Sequence, residues 1–212
     1  MRRVRESFEE IRVMGGEPLL NKDIALILRG LRTTFKSNKI SIVTNGLLLE
    51  RMRDSFWESV RLNDIEIRIT VYPNVNIEHI LNLVKGKNVR YSIYGTRVMA
   101  KQWRSYLLNE KGGNKVLNYY HCSVIKSCWQ LYDGKIIGCS TSAYAFNLNR
   151  KFGSNFQLEG KDYLRVDESL SRRKLFWFAF RVKNFCRYCV FPAKETDWRK
   201  SAYSASEWIA NQ

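Results

Sequence analysis

The apolar positions of the first half of the chain switch repeatedly between two periods. Residues 11–14, 39–44, 65–71 and 89–94 form short runs rich in β-branched side chains, which predicts strands. Between them Ile24, Ile27, Leu28, Leu31 and Phe35 recur at steps of three and four, as one face of a helix does. Residues 48–60 and 77–84 carry the same helical period. Four strands joined by three helical crossovers result, and that rhythm implies a parallel sheet of the α/β class. Right-handed crossovers set the strands side by side with their carboxyl ends opening the same way, which is where such sheets bind ligands.

Three segments fall at those ends: Gly15-Gly16-Glu17-Pro18, Thr44-Asn45-Gly46, and Thr70-Val71-Tyr72-Pro73. Glycine permits positive φ and lets a ligand come close to the backbone. The Glu17 carboxylate can receive an ammonium group, and Pro18 fixes the chain direction into the next element. A plain strand-to-helix turn has the same composition, so the tetrapeptide alone leaves both readings open.

Beyond Gly95 the rhythm fades. Residues 96–120 mix aromatic, basic and Gly-rich character and carry no assignable pattern. Residues 128–139 read as a hairpin, with 129–132 and 135–137 flanking Asp133-Gly134, a strong turn pair. Residues 175–182 predict a helix, and Ser204 with Glu207 resembles a capping box opening a last short one.

Five cysteines lie in this half: Cys122, Cys128, Cys139, Cys186 and Cys189, spaced C-x5-C-x10-C and then C-x2-C. Clustered thiols in a reducing compartment bind metal or do redox chemistry more often than they pair. Four thiolates satisfy either Zn²⁺ or a [4Fe–4S] cluster, and spacing alone does not choose. With five donors for four positions, Cys122 or Cys128 is the surplus thiol. His79 reads as a surface or packing residue of its helix, and His121 borders Cys122 as a further candidate ligand.

At 212 residues and 45% apolar, the chain can bury a core, and disorder is not expected. No run approaches the roughly eighteen apolar residues of a membrane span, and residues 1–6 lack a secretory signal's apolar run. The expectation is a cytoplasmic protein without a membrane partner. The net charge of +16 is spread over Arg29, Arg32, Lys36, Lys39, Lys85, Lys87, Arg90 and the 172–174 triplet, among others. That spread favours a solvated surface over a nucleic-acid stripe.

Several of these residues resemble the radical S-adenosylmethionine (SAM) enzymes, in particular those with a C-terminal auxiliary iron–sulfur region of the SPASM or twitch type. Gly15-Gly16-Glu17-Pro18 resembles the family's GGEP motif, and Thr44-Asn45-Gly46 its Thr-Asn-Gly strand end. Cys122, Gly134 and Cys139 fit the auxiliary C-x(9–15)-G-x4-C signature, followed by Cys186 and Cys189. Trp198, Ser201 and Glu207-Trp208 resemble the tail of a bacterial subgroup. The resemblance implies a partial (β/α)6 radical SAM barrel over 1–120, truncated at its N-terminus, and a small cysteine-rich auxiliary-cluster region over 121–212. It implies SAM bound by Gly15, Gly16, Glu17, Pro18, Thr44, Asn45 and Thr70. A [4Fe–4S] cluster, with zinc as the alternative, would sit on the cysteines.

In that family SAM is cleaved reductively to a 5′-deoxyadenosyl radical, with electrons from a donor such as flavodoxin or ferredoxin, and the radical then modifies a substrate. The substrate of this chain is not legible, and neither is a catalytic acid or base. The family's C-x3-C-x2-C motif is missing, because no cysteine precedes Cys122. A fragment, a degenerate scaffold and a partner-dependent chain all fit, and the helix-end character of residues 2–10 favours the fragment. The competing class is a zinc-stabilised basic module for nucleic acid or another anionic partner.

Overall fold

The computed structural model describes residues 7–36, 38–72, 75–94, 102–125, 128–197 and 200–210. Two compact units divide near residue 102, so 103–120 cluster with the cysteine-bearing half. Among the described residues no helix is long and apolar enough to cross a membrane.

The N-terminal unit holds the parallel sheet that the alternating periods predict. Its strands are β1 (Glu10–Val13), β2 (Lys39–Thr44), β3 (Ile65–Thr70) and β4 (Tyr91–Tyr94), in the order β1-β2-β3-β4, all neighbours parallel. The crossover helices are α1 (Ile24–Thr34), α2 (Asp54–Leu62) and α3 (Ile77–Gly86). Sequential strand order with crossovers of one hand puts all three on the same face. The core agrees: Ile24 and Leu28 of α1, Phe56, Trp57 and Val60 of α2, and Ile80 and Val84 of α3 join Ile40, Ile42, Ile65, Ile67 and Ile69 in one buried cluster.

Several boundaries differ from the sequence reading: β3 ends at Thr70, β4 begins at Tyr91, α3 runs on to Gly86, and the helix expected over 175–182 is Arg172–Phe180. The helix expected over 48–60 is a 3₁₀ turn (Leu49–Arg51) followed by α2, because Met52 and Arg53 take extended backbone between them. The first strand begins one residue earlier and ends before Met14, which is exposed. The helix-end expectation for residues 2–10 lies mostly outside the described residues.

The other face of the sheet is ionic. Alternation along the strands presents Glu10, Arg12, Ser41, Glu66, Arg68 and Ser92 there. Arg68 spans two carboxylates, 3.0 Å from Glu10 and 3.7 Å from Glu66. Lys39 closes on Glu66 at 2.8 Å, Arg12 on Glu10 at 2.7 Å, and Ser41 donates to Glu10 at 3.0 Å. Ser92 donates to Glu66 as well. The network crosses all four strands, so it fixes their register from the side the helices do not cover.

The C-terminal unit is built from short pieces. Strands β6 (Gln130–Tyr132), β7 (Lys135–Ile137) and β8 (Tyr163–Arg165) form an antiparallel sheet, while β5 (Gln102–Ser105) pairs with β9 (Lys194–Asp197). Asp133 and Gly134 both take positive φ (48° and 64°), the two-residue hairpin turn expected of Asp-Gly. Its helices are α4 (Lys115–His121), α5 (Ser140–Phe152) and α6 (Arg172–Phe180), with a 3₁₀ turn at Asn184–Tyr188. The capping box is not formed. Ser204 precedes a three-residue 3₁₀ turn without a side-chain cap, and the Glu207 carboxylate instead accepts from Ser201 Oγ at 2.6 Å and Ala202 N at 3.0 Å.

Burial pushes the Glu10 and Glu66 carboxyls up, but the hydrogen bonds and cationic charges of this network outweigh it and hold both below the usual carboxylate value. A lowered folded-state pKa means stability that is present above the unfolded value and lost as pH falls through the folded one. Thermal melts should therefore drop as pH falls from the ordinary carboxylate value through the lower folded-state ones. Glu66→Gln should flatten that drop while lowering the neutral-pH melt. Parallel acid profiles for the two proteins would refute the role given to Glu66.

Candidate functional site

At the carboxyl end of β1 the chain turns through Gly15 and Gly16 into a 3₁₀ turn at Pro18–Leu20. Glu17 sits at its N-cap, where one carboxylate oxygen accepts from Leu19 N at 3.1 Å and from Thr44 Oγ1 at 2.8 Å. Its other oxygen accepts from Asn45 N at 3.1 Å. Three of about four accepting positions on the carboxylate are thereby used by the chain itself. The ends of β1 and β2 are joined by this one side chain.

Thr44-Asn45-Gly46 is shaped by the same contacts. Thr44 is buried, and its hydroxyl accepts from Gly46 N at 3.0 Å while donating to Glu17. Asn45 Oδ1 accepts from Leu47 N at 2.9 Å. Gly46 has φ +82°, and an added Cβ would lie 2.8 Å from Ile80 Cδ1, so glycine is required there twice over. Gly15 and Gly16 differ: neither takes positive φ, and a Cβ on either would meet nothing within 4 Å. Their bareness leaves an exposed backbone edge that no packing among the described residues explains. Thr70 ends β3 on the strand face opposite Thr44, as the pairing of Thr44 with Ile69 dictates. Pro73 lies outside the described residues.

In the C-terminal unit the cysteines gather around α4. Asn114 caps that helix by accepting from Val116 N and Leu117 N at 3.0 and 3.2 Å. Cys122 follows its last turn. Asn118 reaches from α4 to the carbonyls of Cys186 and Cys189, at 2.8 and 2.7 Å, which fixes the C-x2-C turn. Cys139 ends the hairpin and caps α5, its sulfur accepting from Ser142 N at 3.4 Å. Cys139 and Cys186 are buried with Tyr119 and Ile125, and Cys122 packs against that cluster.

All five thiols are free. Burial raises Cys186 to about 12, with Cys139 and Cys122 adding to the rise. Burial also raises Cys189, followed by Cys139, Cys186 and Cys122. Burial raises Cys139 against the opposing hydrogen bonds from Ser142, and Cys122 and Cys128 push the same way. Cys122 thus acts on all three of Cys139, Cys186 and Cys189. Cys128, whose sulfur accepts from Gln130 Nε2 at 3.5 Å, acts on Cys139. Among the described residues no group of three His, Cys, Asp or Glu side chains is set to hold a metal ion. The thiols share one neighbourhood without closing on a point. His121 is exposed beside Cys122 with its ring 6.4 Å from Phe191, and His79 is exposed near Glu50, as expected of a surface residue.

Two buried charges that the sequence reading missed organise this neighbourhood. Asp162, 1% exposed, accepts from Phe185 N and Glu159 N, both at 2.8 Å, and its carbonyl accepts from Gly138 N at 3.2 Å. It links the strand leading to Cys139 with the turn carrying Cys186. Lys183, 2% exposed, donates to the carbonyls of Phe178 and Arg181 and lies 4.0 Å from the Phe178 ring centroid. Burial, then the Arg181 charge, lowers it to about 8, against the influence of Cys186, Asp162 and Cys139. Gly138 makes the room: a Cβ there would lie 3.2 Å from Lys183 Cε. The Gly138-Cys139 dipeptide was a readable trace of this packing. Asp162 and Lys183 carry no local sequence signal.

No known family's sequence profile matches the chain. The chain does show distant, partial similarity to curated GTP 3′,8-cyclases. It is 25% identical over 118 residues to that of Lactiplantibacillus plantarum, covering 53% of this chain and 34% of the relative. With the Haemophilus ducreyi protein it shares 38% identity over 61 residues, 29% of this chain and 18% of the relative. With that of Actinobacillus pleuropneumoniae serotype 5b it shares 31% over 85 residues, 40% and 24%. The chain thus spans about a third or less of the length of these relatives. The parallel four-stranded sheet with its small antiparallel companion is consistent with part of a radical SAM barrel and an appended region.

Asp162→Asn would replace one of the two accepting oxygens with an amide donor that faces a backbone N–H. We expect a loss of about 1–3 kcal/mol in urea unfolding, with faster alkylation of Cys186 in the native protein. Unchanged stability and unchanged thiol reactivity would show that Asp162 does not hold the turn.

Proposed function

We propose that this chain is part of a radical SAM enzyme. Its strand-end site would hold SAM and its cysteine-bearing unit an auxiliary [4Fe–4S] cluster. The observation that carries the reading is the exposed Gly15-Gly16 edge, bare without any packing reason, beside a carboxylate that fixes two strand ends. The distant similarity to GTP 3′,8-cyclases, which are radical SAM enzymes using SAM and [4Fe–4S] clusters, supports it. SAM supplies such enzymes with a 5′-deoxyadenosyl radical that removes a hydrogen atom from substrate.

The residues of the chain fit this use in specific ways. Gly15 and Gly16 leave the backbone open to close approach, and the remaining accepting position of Glu17 suits an ammonium group. Pro18 holds the turn, Thr44 and Asn45 set the neighbouring strand end, and Thr70 would line the next. Reductive cleavage of SAM is not assigned to these residues, since no cysteine precedes Cys122.

For the cluster we assign Cys122, Cys139, Cys186 and Cys189, with Cys128 as the surplus thiol. Soft thiolate donors suit both iron–sulfur clusters and zinc. A zinc ion needs all four sulfurs about 2.3 Å from one point, whereas a four-iron cluster spreads them over a larger body. Both occupants suit the donor set, and the metal and sulfide content of the reconstituted chain separates them. The substrate stays unassigned.

Reconstitution with iron and sulfide under anaerobic conditions should yield about four of each per chain. Cys128→Ser should retain that content, and Cys122→Ser should lose it. Zinc without iron or sulfide would replace this reading with the zinc-stabilised basic module. Equal loss in both variants would overturn the ligand assignment.

A further inference from the structure

Helix α6 carries features that its own packing does not require. Leu175 and Phe178 are buried and fasten it to the C-terminal unit, yet Phe176, Trp177 and Phe180 are 59%, 61% and 67% exposed. Their rings lean on one another, Phe176 on Trp177 at 5.8 Å and 82°, and Phe176 on Phe180 at 5.0 Å and 55°. The three form one contiguous apolar wedge in water, a feature that marks binding surfaces.

The charges around the wedge are also out of order for a helix. The first turn carries Arg172, Arg173 and Lys174 and no acidic residue, although the positive end of the helix dipole disfavours cations there. Residues 172–183 hold five Lys or Arg and no Asp or Glu. Lys183 is buried, and Arg181 past the helix end donates to the Gly160 and Lys161 carbonyls at 3.4 and 2.9 Å. Lys174 Nζ donates to Ser169 Oγ at 2.8 Å, and the nearby Asp167 carboxylate is occupied by the same hydroxyl at 2.6 Å. A rim of cations around exposed aromatics breaks local rules for stability in a way that binding sites do.

We infer that α6 docks the protein on an anionic lipid bilayer surface. The wedge of Phe176, Trp177 and Phe180 enters the boundary between headgroups and acyl chains, and the exposed Arg173 and Lys174 face lipid phosphates. Aromatic and basic side chains divide in this way on interfacial helices. Single-stranded nucleic acid is disfavoured, because the basic residues cluster at one end of a short helix and form no groove that tracks a phosphate backbone. A second copy of the chain is disfavoured by the like charge of +16 each would bring. The inference is independent of the cofactor reading.

The test is co-sedimentation of the full chain with vesicles of phosphatidylcholine, alone and mixed with phosphatidylglycerol. Binding to the mixed vesicles alone, weakened by salt, is expected. Brominated lipid should quench wild-type fluorescence more than that of Trp177→Phe. Arg173→Glu with Lys174→Glu should reduce partition by roughly thirtyfold or more. Trp177→Ser with Phe180→Ser should abolish it while the far-ultraviolet circular dichroism stays unchanged.

Four results would overturn the inference, three of them in binding. Those three are no partition onto anionic vesicles, equal partition by the variants, and tighter binding to single-stranded DNA that the same variants abolish. A wild-type dimer that Trp177→Ser with Phe180→Ser dissolves would assign the wedge to self-association instead.

Discussion

The carboxylate of Glu17 is the point at which local turn, sheet and candidate ligand edge meet. It accepts from the Leu19 N–H, the Thr44 hydroxyl and the Asn45 N–H, so one side chain closes the turn after β1 and clamps it to the end of β2. Hydrogen bonds to an ionised acceptor are worth about 1.5–3 kcal/mol each in favourable settings. With the clamp in place, Gly15 and Gly16 are presented as a bare backbone edge. In the proposed reading, their freedom from side chains serves a ligand that comes from outside.

The sheet beneath divides its labour by face. One face is a continuous apolar core under three helices, and the other is a lattice of Glu10, Glu66, Arg68, Lys39 and Arg12. Hydrophobic burial supplies the driving force, and it tolerates sliding along a strand in steps of two. Ion pairs bound to particular strand positions do not tolerate such a slip. Specificity of register and stability of burial therefore come from opposite sides of the same strands.

The first half was legible because its signals are periodic. The spacing of Ile24, Leu28 and Leu31, and the alternation within residues 65–70, reflect burial on one helix face and one sheet face. Asp133-Gly134 was legible for a different reason, since both residues need positive φ. Helix α5 was not read. Its sequence is polar, Tyr144 and Phe146 are exposed, and its N-cap is a cysteine, so neither amphipathic period nor usual cap chemistry marks it. Strands β5, β8 and β9 are three or four residues long, too short for alternation to register. Of the candidate sites, the strand-end motifs were visible as residues, but the engagement of Glu17 by the chain itself required coordinates. Cys122 was inseparable from Cys128 by spacing, and both push the buried Cys139 thiol up, so the reconstitution of the two serine variants is what separates them.

The bare edge at Gly16 offers a clean separation of fold from ligand binding, because a side chain added there meets nothing among the described residues. Calorimetric titration of the folded chain with SAM, run beside Gly16→Val, uses that separation. Saturable binding by the wild type, lost in a variant that melts at the same temperature, is what the strand-end site requires. Absent binding by the wild type, or equal binding by both, would show that the Gly15-Gly16 edge is not where this protein meets SAM.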